Sequence, residues 1–208
     1  MKKLLLLSIL VFAFSCSDKL FKEKWTSKKA PEYFKARFET TQGNFDIEAK
    51  REWSPEGVDR LYQLIESEFY TDVAIFRVVP NFVAQFGIHN DSILNSSWSQ
   101  YKVNDEPTIE KNYKGAISFA RGGPKSRTTQ IFINLKDNNR LDEIDYSGVK
   151  GFPVVAKVTE GMDNVMKFYG GYGDKLGFKQ DSIQKRGNDF IKRKYPKVDF
   201  IYKAYILK

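Results

Sequence analysis

Residues 75–87 read Ile75-Phe76-Arg77-Val78-Val79-Pro80-Asn81-Phe82-Val83-Ala84-Gln85-Phe86-Gly87, two short apolar runs that bend at Pro80-Asn81 and carry one arginine and one glutamine. If the runs are paired strands, alternation puts Arg77 on the face opposite Phe76 and Val78. The same rule sets Val83 and Gln85 opposite Phe82, Ala84 and Phe86. A guanidinium and an amide then converge on one apolar surface, an unusual place for polar side chains and the best clue to function.

Upstream, Tyr33 to Thr40 and Asn44 to Ala49 alternate around Thr41-Gln42-Gly43, the pattern of a β-hairpin. Ser54 is a helix N-cap and Pro55 a first helical residue, followed by Val58, Leu61, Leu64 or Ile65, and Phe69 at helical spacing. Downstream, a polar stretch runs through Trp98 and Pro107. Gly115 to Ala120 and Gln130 to Leu135 then read as strands around the loop Arg121-Gly122-Gly123-Pro124. Val154 to Val158 is a further strand and Met162 to Phe168 a short helix. Gly170-Gly171-Tyr172-Gly173 has neither the P-loop lysine spacing nor the dinucleotide fingerprint and reads as a turn. Asp181 caps a last helix that Pro196 stops, and Val198 to Ile206 returns as a strand. The sum is a mainly β, mostly antiparallel chain with a few helices, and strands this short suit a closed barrel without exposed edges.

The first residues belong to another function. Lys2 and Lys3, the apolar run Leu4 to Phe14 and the small-residue stretch ending at Cys16 have the parts of a secretory signal. The run is roughly half the ~20 residues a spanning helix needs, which favours a cleaved signal over a transmembrane anchor. Ala13-Phe14-Ser15-Cys16 resembles a bacterial lipobox, so residues 1–15 are expected to be a lipoprotein signal peptide, Cys16 the lipidation site and 16–31 a tether. Residues 32–208 form the folded domain. This places the protein on the bacterial cell envelope, held to the membrane by lipid with its domain outside the cytoplasm. Cys16 is the only cysteine, so no internal disulfide is available and the core must hold the fold. The net charge is +8, to which Lys2 and Lys3 contribute. Without a basic stripe interleaved with stacking aromatics, and behind an export signal, that charge does not point to nucleic acid. A single domain without heptads points to a monomer.

Several blocks in register resemble one family. Phe69-Tyr70, the quoted stretch, Gly115 to Ala120, Thr128 to Leu135, Asn139-Arg140-Leu141-Asp142 and Lys157 to Asp163 are similar to the cyclophilin-type peptidyl-prolyl isomerases, in order from about Tyr33 to Phe168. The glycine run and the helix ending at Pro196 look like a bacterial subgroup with a longer C-terminus. The resemblance implies a closed eight-stranded antiparallel barrel capped by two helices, with a C-terminal helix and strand extension and a peptide groove on its outer face.

It also implies roles. Arg77 matches the catalytic arginine and Gln85 the glutamine that orients it. Phe82, Val83, Phe132 and Leu141 match the proline pocket, with Ile131 beside it and Phe152 on its rim. Gln130 and the main chain at Arg121 match the part of the groove that holds the substrate backbone. Substrates would be proline-containing polypeptides, and rotation about an amide calls for no metal or cofactor. Two activities fit: an isomerase, or a non-catalytic or weakly catalytic proline-peptide-binding chaperone on the same barrel at the cell envelope. Phe76, Phe86, Val83, Arg140 and Phe152 depart from the commoner histidine, glycine, methionine, tryptophan and histidine, and residues 143–151 are longer than the usual turn. The loss of an indole at Arg140 predicts weak inhibition by cyclosporin. His89, the only histidine, reads as a loop residue without a functional role.

Overall fold

A computed structural model describes residues 21–208. The expected signal peptide and Cys16 lie outside the described residues. In chain order the strands are β1 (Tyr33–Thr40), β2 (Phe45–Lys50), β3 (Val73–Ala74), β4 (Arg77–Val79), β5 (Val83–Phe86), β6 (Ala116–Phe119), β7 (Ile131–Asn134), β8 (Asp145–Tyr146), β9 (Val149–Lys150), β10 (Val154–Glu160) and β11 (Phe200–Leu207). The helices are α1 (Pro55–Glu66), α2 (Ser92–Ser99), α3 (Met162–Val165), α4 (Asp174–Gly177) and α5 (Gln180–Lys194). Among the described residues no helix is long and apolar enough to cross a membrane.

Nine strands form one antiparallel sheet in the order β3-β11-β1-β2-β10-β6-β7-β5-β4, and β8 and β9 make a separate hairpin. β3 and β4 stand at opposite edges of that order, yet only Ile75 and Phe76 separate them in the chain. The gap spans three Cα steps, no more than about 11 Å, so the sheet has to curl until its edges meet at this segment. Counting β3 and β4 as one bent strand recovers the eight of the sequence reading. The C-terminal strand β11 lies between β1 and β3, within the sheet. What is added to the curled sheet is therefore the segment before it, α4 and α5.

The interior is filled by the inward faces of the strands, with Phe38, Phe45, Ile47, Phe86, Ile117 and Ile133 almost fully buried, and by the apolar face of α1 with Leu61. Phe38 and Phe45, partners across the β1–β2 hairpin, stack with ring centroids 4.9 Å apart. Each such side chain contributes roughly 1.5–3 kcal/mol by leaving water. A second apolar cluster lies between the sheet and the added helices: Phe76, Ile88, Leu176, Ile183, Phe190 and Ile191.

Several local readings need correction. Ser54 stands at the N-cap of α1, but its side chain makes no cap bond. Its hydroxyl instead meets Glu106, whose carboxylate accepts from the main-chain N–H of Glu56 (2.8 Å) and Gly57 (3.1 Å), so the cap comes from a residue fifty positions away. The polar stretch through Trp98 contains a helix, α2, capped by Asp91 accepting from Ile93 N (2.7 Å) and Leu94 N. Asp181 lies one residue inside α5, in its first turn, and Lys179 is the N-cap. α5 is two helical pieces joined at Gly187, whose φ of 58° and ψ of −157° are not helical. From residue 21 onward the expected tether lies on the domain: Phe21 packs edge-on against Trp98, and Gln63 Nε2 donates to Thr26 O and Lys28 O. Phe21 finds ring partners at long range in Trp98 and Tyr101, and Trp25 packs edge-on against Phe21.

Candidate active site

β4 and β5 pair antiparallel with Arg77 opposite Gln85 and Val79 opposite Val83, so the face expected from alternation forms. The turn between them puts Asn81 at φ 58°, a left-handed position that asparagine tolerates. Phe82 departs from the expectation. It precedes β5 in the turn rather than in the ladder, and its ring lies beside Arg77, 5.7 Å from the guanidinium carbon. It therefore shares the groove with Arg77 and Val83 instead of facing away.

Arg77 is held at two points. Its Nε donates to Asp174 Oδ1 (2.6 Å) and its Nη1 to Gln85 Oε1 (3.1 Å). Gln85 Nε2 donates in turn to Gln130 Oε1 (2.9 Å), and Gln130 Nε2 to Gln180 Oε1 (2.9 Å). A guanidinium carries five N–H groups, so three remain for a ligand.

Beside this polar row, Val83, Phe132 and Leu141 form a third apolar cluster, with Phe82, Ala120, Ile144 and Phe152 against it. Together with Arg77 and Gln85 these residues line a groove of about 570 Å³, within the roughly 300–1,000 Å³ usual for ligand sites. Ile131 is not part of it. Its side chain is fully buried in the main core, because alternation along β7 turns Phe132 to the groove and Ile131 and Ile133 inward.

Arg121 reaches the groove in an unforeseen way. Its side chain is buried, and Nη1 donates to Tyr146 O (2.8 Å) while Nη2 donates to Val149 O (2.9 Å) and Gly151 O. The guanidinium carbon stands 4.3 Å from the Phe152 ring centre. Burial pushes this guanidinium below its usual pKa. Arg121 thus clasps the β8–β9 hairpin, which supplies the Ile144 and Tyr146 wall of the groove. Sequence reasoning did not find Asp174, Phe178, Gln180, Ile144 or Tyr146. His89 is occupied in its loop: Nδ1 accepts from Asp91 N (2.9 Å), and the main-chain N–H of His89 donates to Asn95 Oδ1 (2.8 Å).

Residues 35–186 match the family described as cyclophilin type peptidyl-prolyl cis-trans isomerase/CLD. The chain belongs to that family. Relatives of this cyclophilin include peptidyl-prolyl cis-trans isomerase B of Escherichia coli, 30% identical over 69% of this chain and 89% of its own length. A peptidyl-prolyl cis-trans isomerase of Acinetobacter baylyi is 31% identical over 62% and 68%. In fold, the cyclophilin resembles the crystal structure of a Cryptosporidium parvum cyclophilin type isomerase, with TM-score 0.60 and 16% identity over 85% of this chain and 98% of that one.

Three departures from the common cyclophilin pattern find their place in the structure. Phe76, where many cyclophilins have histidine, is buried in the cluster beneath the added helices. Phe86, in place of a glycine, fills the core against Phe38 and Tyr70. Arg140 lies over Phe82, its guanidinium carbon 4.9 Å from the ring centre, and brings a charge where the common pattern has an indole.

Proposed function

We propose that this cyclophilin accelerates cis-trans exchange of Xaa-Pro bonds in exported proteins, with Arg77 as the donor that stabilises the twisted amide. The observation that carries the reading is the juxtaposition of a fixed guanidinium with an apolar seat: Arg77, held by Gln85, stands beside Phe82, Val83, Phe132 and Leu141.

Rotation about the bond must break amide resonance against a barrier of about 18–20 kcal/mol. In the twisted state the prolyl nitrogen regains a lone pair that can accept a hydrogen bond, while the planar ground state offers none. A donor poised for that lone pair stabilises the transition state selectively, which is the form of binding that raises rate. Arginine suits the task because its charge is permanent and it cannot give up the proton. The seat fixes the proline ring. Gln85 and Gln130 keep the donor aligned, and Gln130 borders the path of the substrate backbone.

The export context rests on the signal-like residues 1–15 and the lipobox-like Cys16. In this reading the lipidated cysteine anchors the domain at the cell envelope, outside the cytoplasm, where it meets unfolded chains. Exchange in a proline model peptide, followed by NMR with and without the chain from residue 17, tests the activity. Acceleration is expected, and its absence leaves only a peptide-binding role. Radiolabelled palmitate incorporated by the wild type and not by Cys16→Ser tests the anchor; equal labelling contradicts it.

A further inference from the structure

The segment between α3 and β11 is not needed to close the sheet, yet it reaches the groove. Gly173 makes an antiparallel bridge to Val78, and Leu176 is fully buried in the second cluster. Gly177 passes so near Arg77 that a Cβ there would stand 3.0 Å from Arg77 Cδ. From this platform two polar side chains bracket the row that includes the donor. Asp174 accepts from Arg77 Nε at one end, and Gln180 accepts from Gln130 Nε2 at the other. Between them every bond runs in one direction, Arg77 to Gln85 to Gln130 to Gln180. Arg77 can only donate, so it turns the Gln85 oxygen toward itself and sets the polarity of the row, and Gln180 supplies the acceptor that ends it.

We propose that Asp174 and Gln180 are positioning residues for the isomerase reaction, so that the segment added before the last strand is part of the active site. The proposal rests on the reading of Arg77 as the donor. With Gln85 alone, the guanidinium could swivel about its last bonds. A second contact on Nε fixes its plane and leaves the remaining N–H groups toward the seat. Asp174 is half exposed, with 49% of its side chain accessible. A pair so open to water adds little to stability, while a misplacement of about 1 Å in a reacting group can cost on the order of 100-fold in rate. Loss of Asp174 should therefore appear in turnover and not in folding.

The test uses the chain from residue 17, a proline model peptide, and NMR exchange measurements that give turnover and peptide affinity separately. Asp174→Ala is expected to lower turnover about 10-fold, with affinity and unfolding midpoint little changed. Asp174→Asn, which keeps an acceptor for Nε, should recover most of the loss. Gln180→Glu keeps the acceptor and should lose less turnover than Gln180→Lys; an equal loss in the two overturns the role of Gln180. Gln180→Lys puts a donor against Gln130 Nε2, which leaves this end of the row without an acceptor while Arg77 still imposes its direction, and should lower turnover. The Nε–H resonance of Arg77 supplies an independent reading: protected from exchange with water in the wild type and Asp174→Asn, and exposed in Asp174→Ala. Equal turnover in Asp174→Ala and wild type, or a parallel loss of affinity that asparagine does not restore, overturns the proposal. A wild-type chain that fails to accelerate exchange overturns the donor reading of Arg77 instead. An Arg77 Nε–H that stays protected in Asp174→Ala overturns the positioning by itself.

Discussion

Replacing Arg121 by alanine should release the β8–β9 hairpin. The arginine donates to three carbonyls, those of Tyr146, Val149 and Gly151, and lies against Phe152. Hydrogen bonds from a charged group are worth about 1.5–3 kcal/mol each, but the three do not add. Tyr146 is exposed and Val149 half-buried, so water can replace the arginine at both carbonyls, whereas Gly151 is buried. Burial already disfavours the charged guanidinium, as its lowered pKa indicates, and removing it returns part of that cost. What remains is one buried carbonyl without a donor and a void beside Phe152, together about 2 kcal/mol of global stability. Denaturant unfolding measures this loss. Hydrogen exchange at the amides of Gly151 and Phe152, which donate to Ile144 O (3.0 Å) and Leu141 O (2.8 Å), measures the local release. Peptide affinity should fall more than turnover, because the hairpin forms a wall of the groove and does not touch the Arg77 row. Unchanged protection at both amides together with unchanged unfolding free energy would refute the clasp.

Glu106→Ala removes the remote cap of α1 and strands Arg127, which is buried and pairs with that carboxylate at 2.9 Å. An unfolding free energy lower by about 3–5 kcal/mol is expected, with Glu106→Gln intermediate, and a loss below about 1 kcal/mol would contradict the cap. Phe178, 83% exposed at the groove mouth, should contact apolar residues that flank the proline. Phe178→Ser is expected to raise KM several-fold (about 1 kcal/mol of apolar contact) at unchanged kcat, whereas equal KM values for alanine-flanked and leucine-flanked peptides in both proteins would exclude that contact. Tyr70 is fully buried, donates to Thr129 O (3.0 Å), and burial pushes its pKa up. A raised folded pKa gives stability that is present below the ordinary tyrosine value near 10 and is lost as pH rises above it. Alkaline unfolding should therefore show a smaller pH slope in Tyr70→Phe, and identical slopes would contradict the assignment.

The half of the site carried by local periodicity was legible in the sequence. Period-two alternation placed Arg77, Val83 and Gln85 on one face, and the family resemblance supplied the proline seat. Ile131, expected beside the pocket from the resemblance, lies in the main core, as alternation requires once Phe132 faces the groove. Phe82 escaped alternation because it belongs to a turn. The residues that hold the site from outside carry no local signal. Asp174 and Gln180 are polar residues in a polar stretch, brought to Arg77 by the burial of Leu176 and the close approach of Gly177. The capping role of Ser54 passed to Glu106, and the backbone role expected at Arg121 is accompanied by a side-chain clasp, each through a contact distant in sequence. The fold was read more fully than the site because strands and core obey short periods, while the ends of the polar row are set by tertiary packing alone.

The proposed isomerase activity depends most on Arg77 acting on the twisted amide. NMR exchange in a proline model peptide, measured with wild-type chain and with Arg77→Ala at matched peptide saturation, tests that role. A fall in catalysed exchange of about 100-fold to 1,000-fold is expected, with peptide affinity changed little because the seat of Phe82, Val83, Phe132 and Leu141 is intact. Equal exchange rates in the two proteins would contradict it.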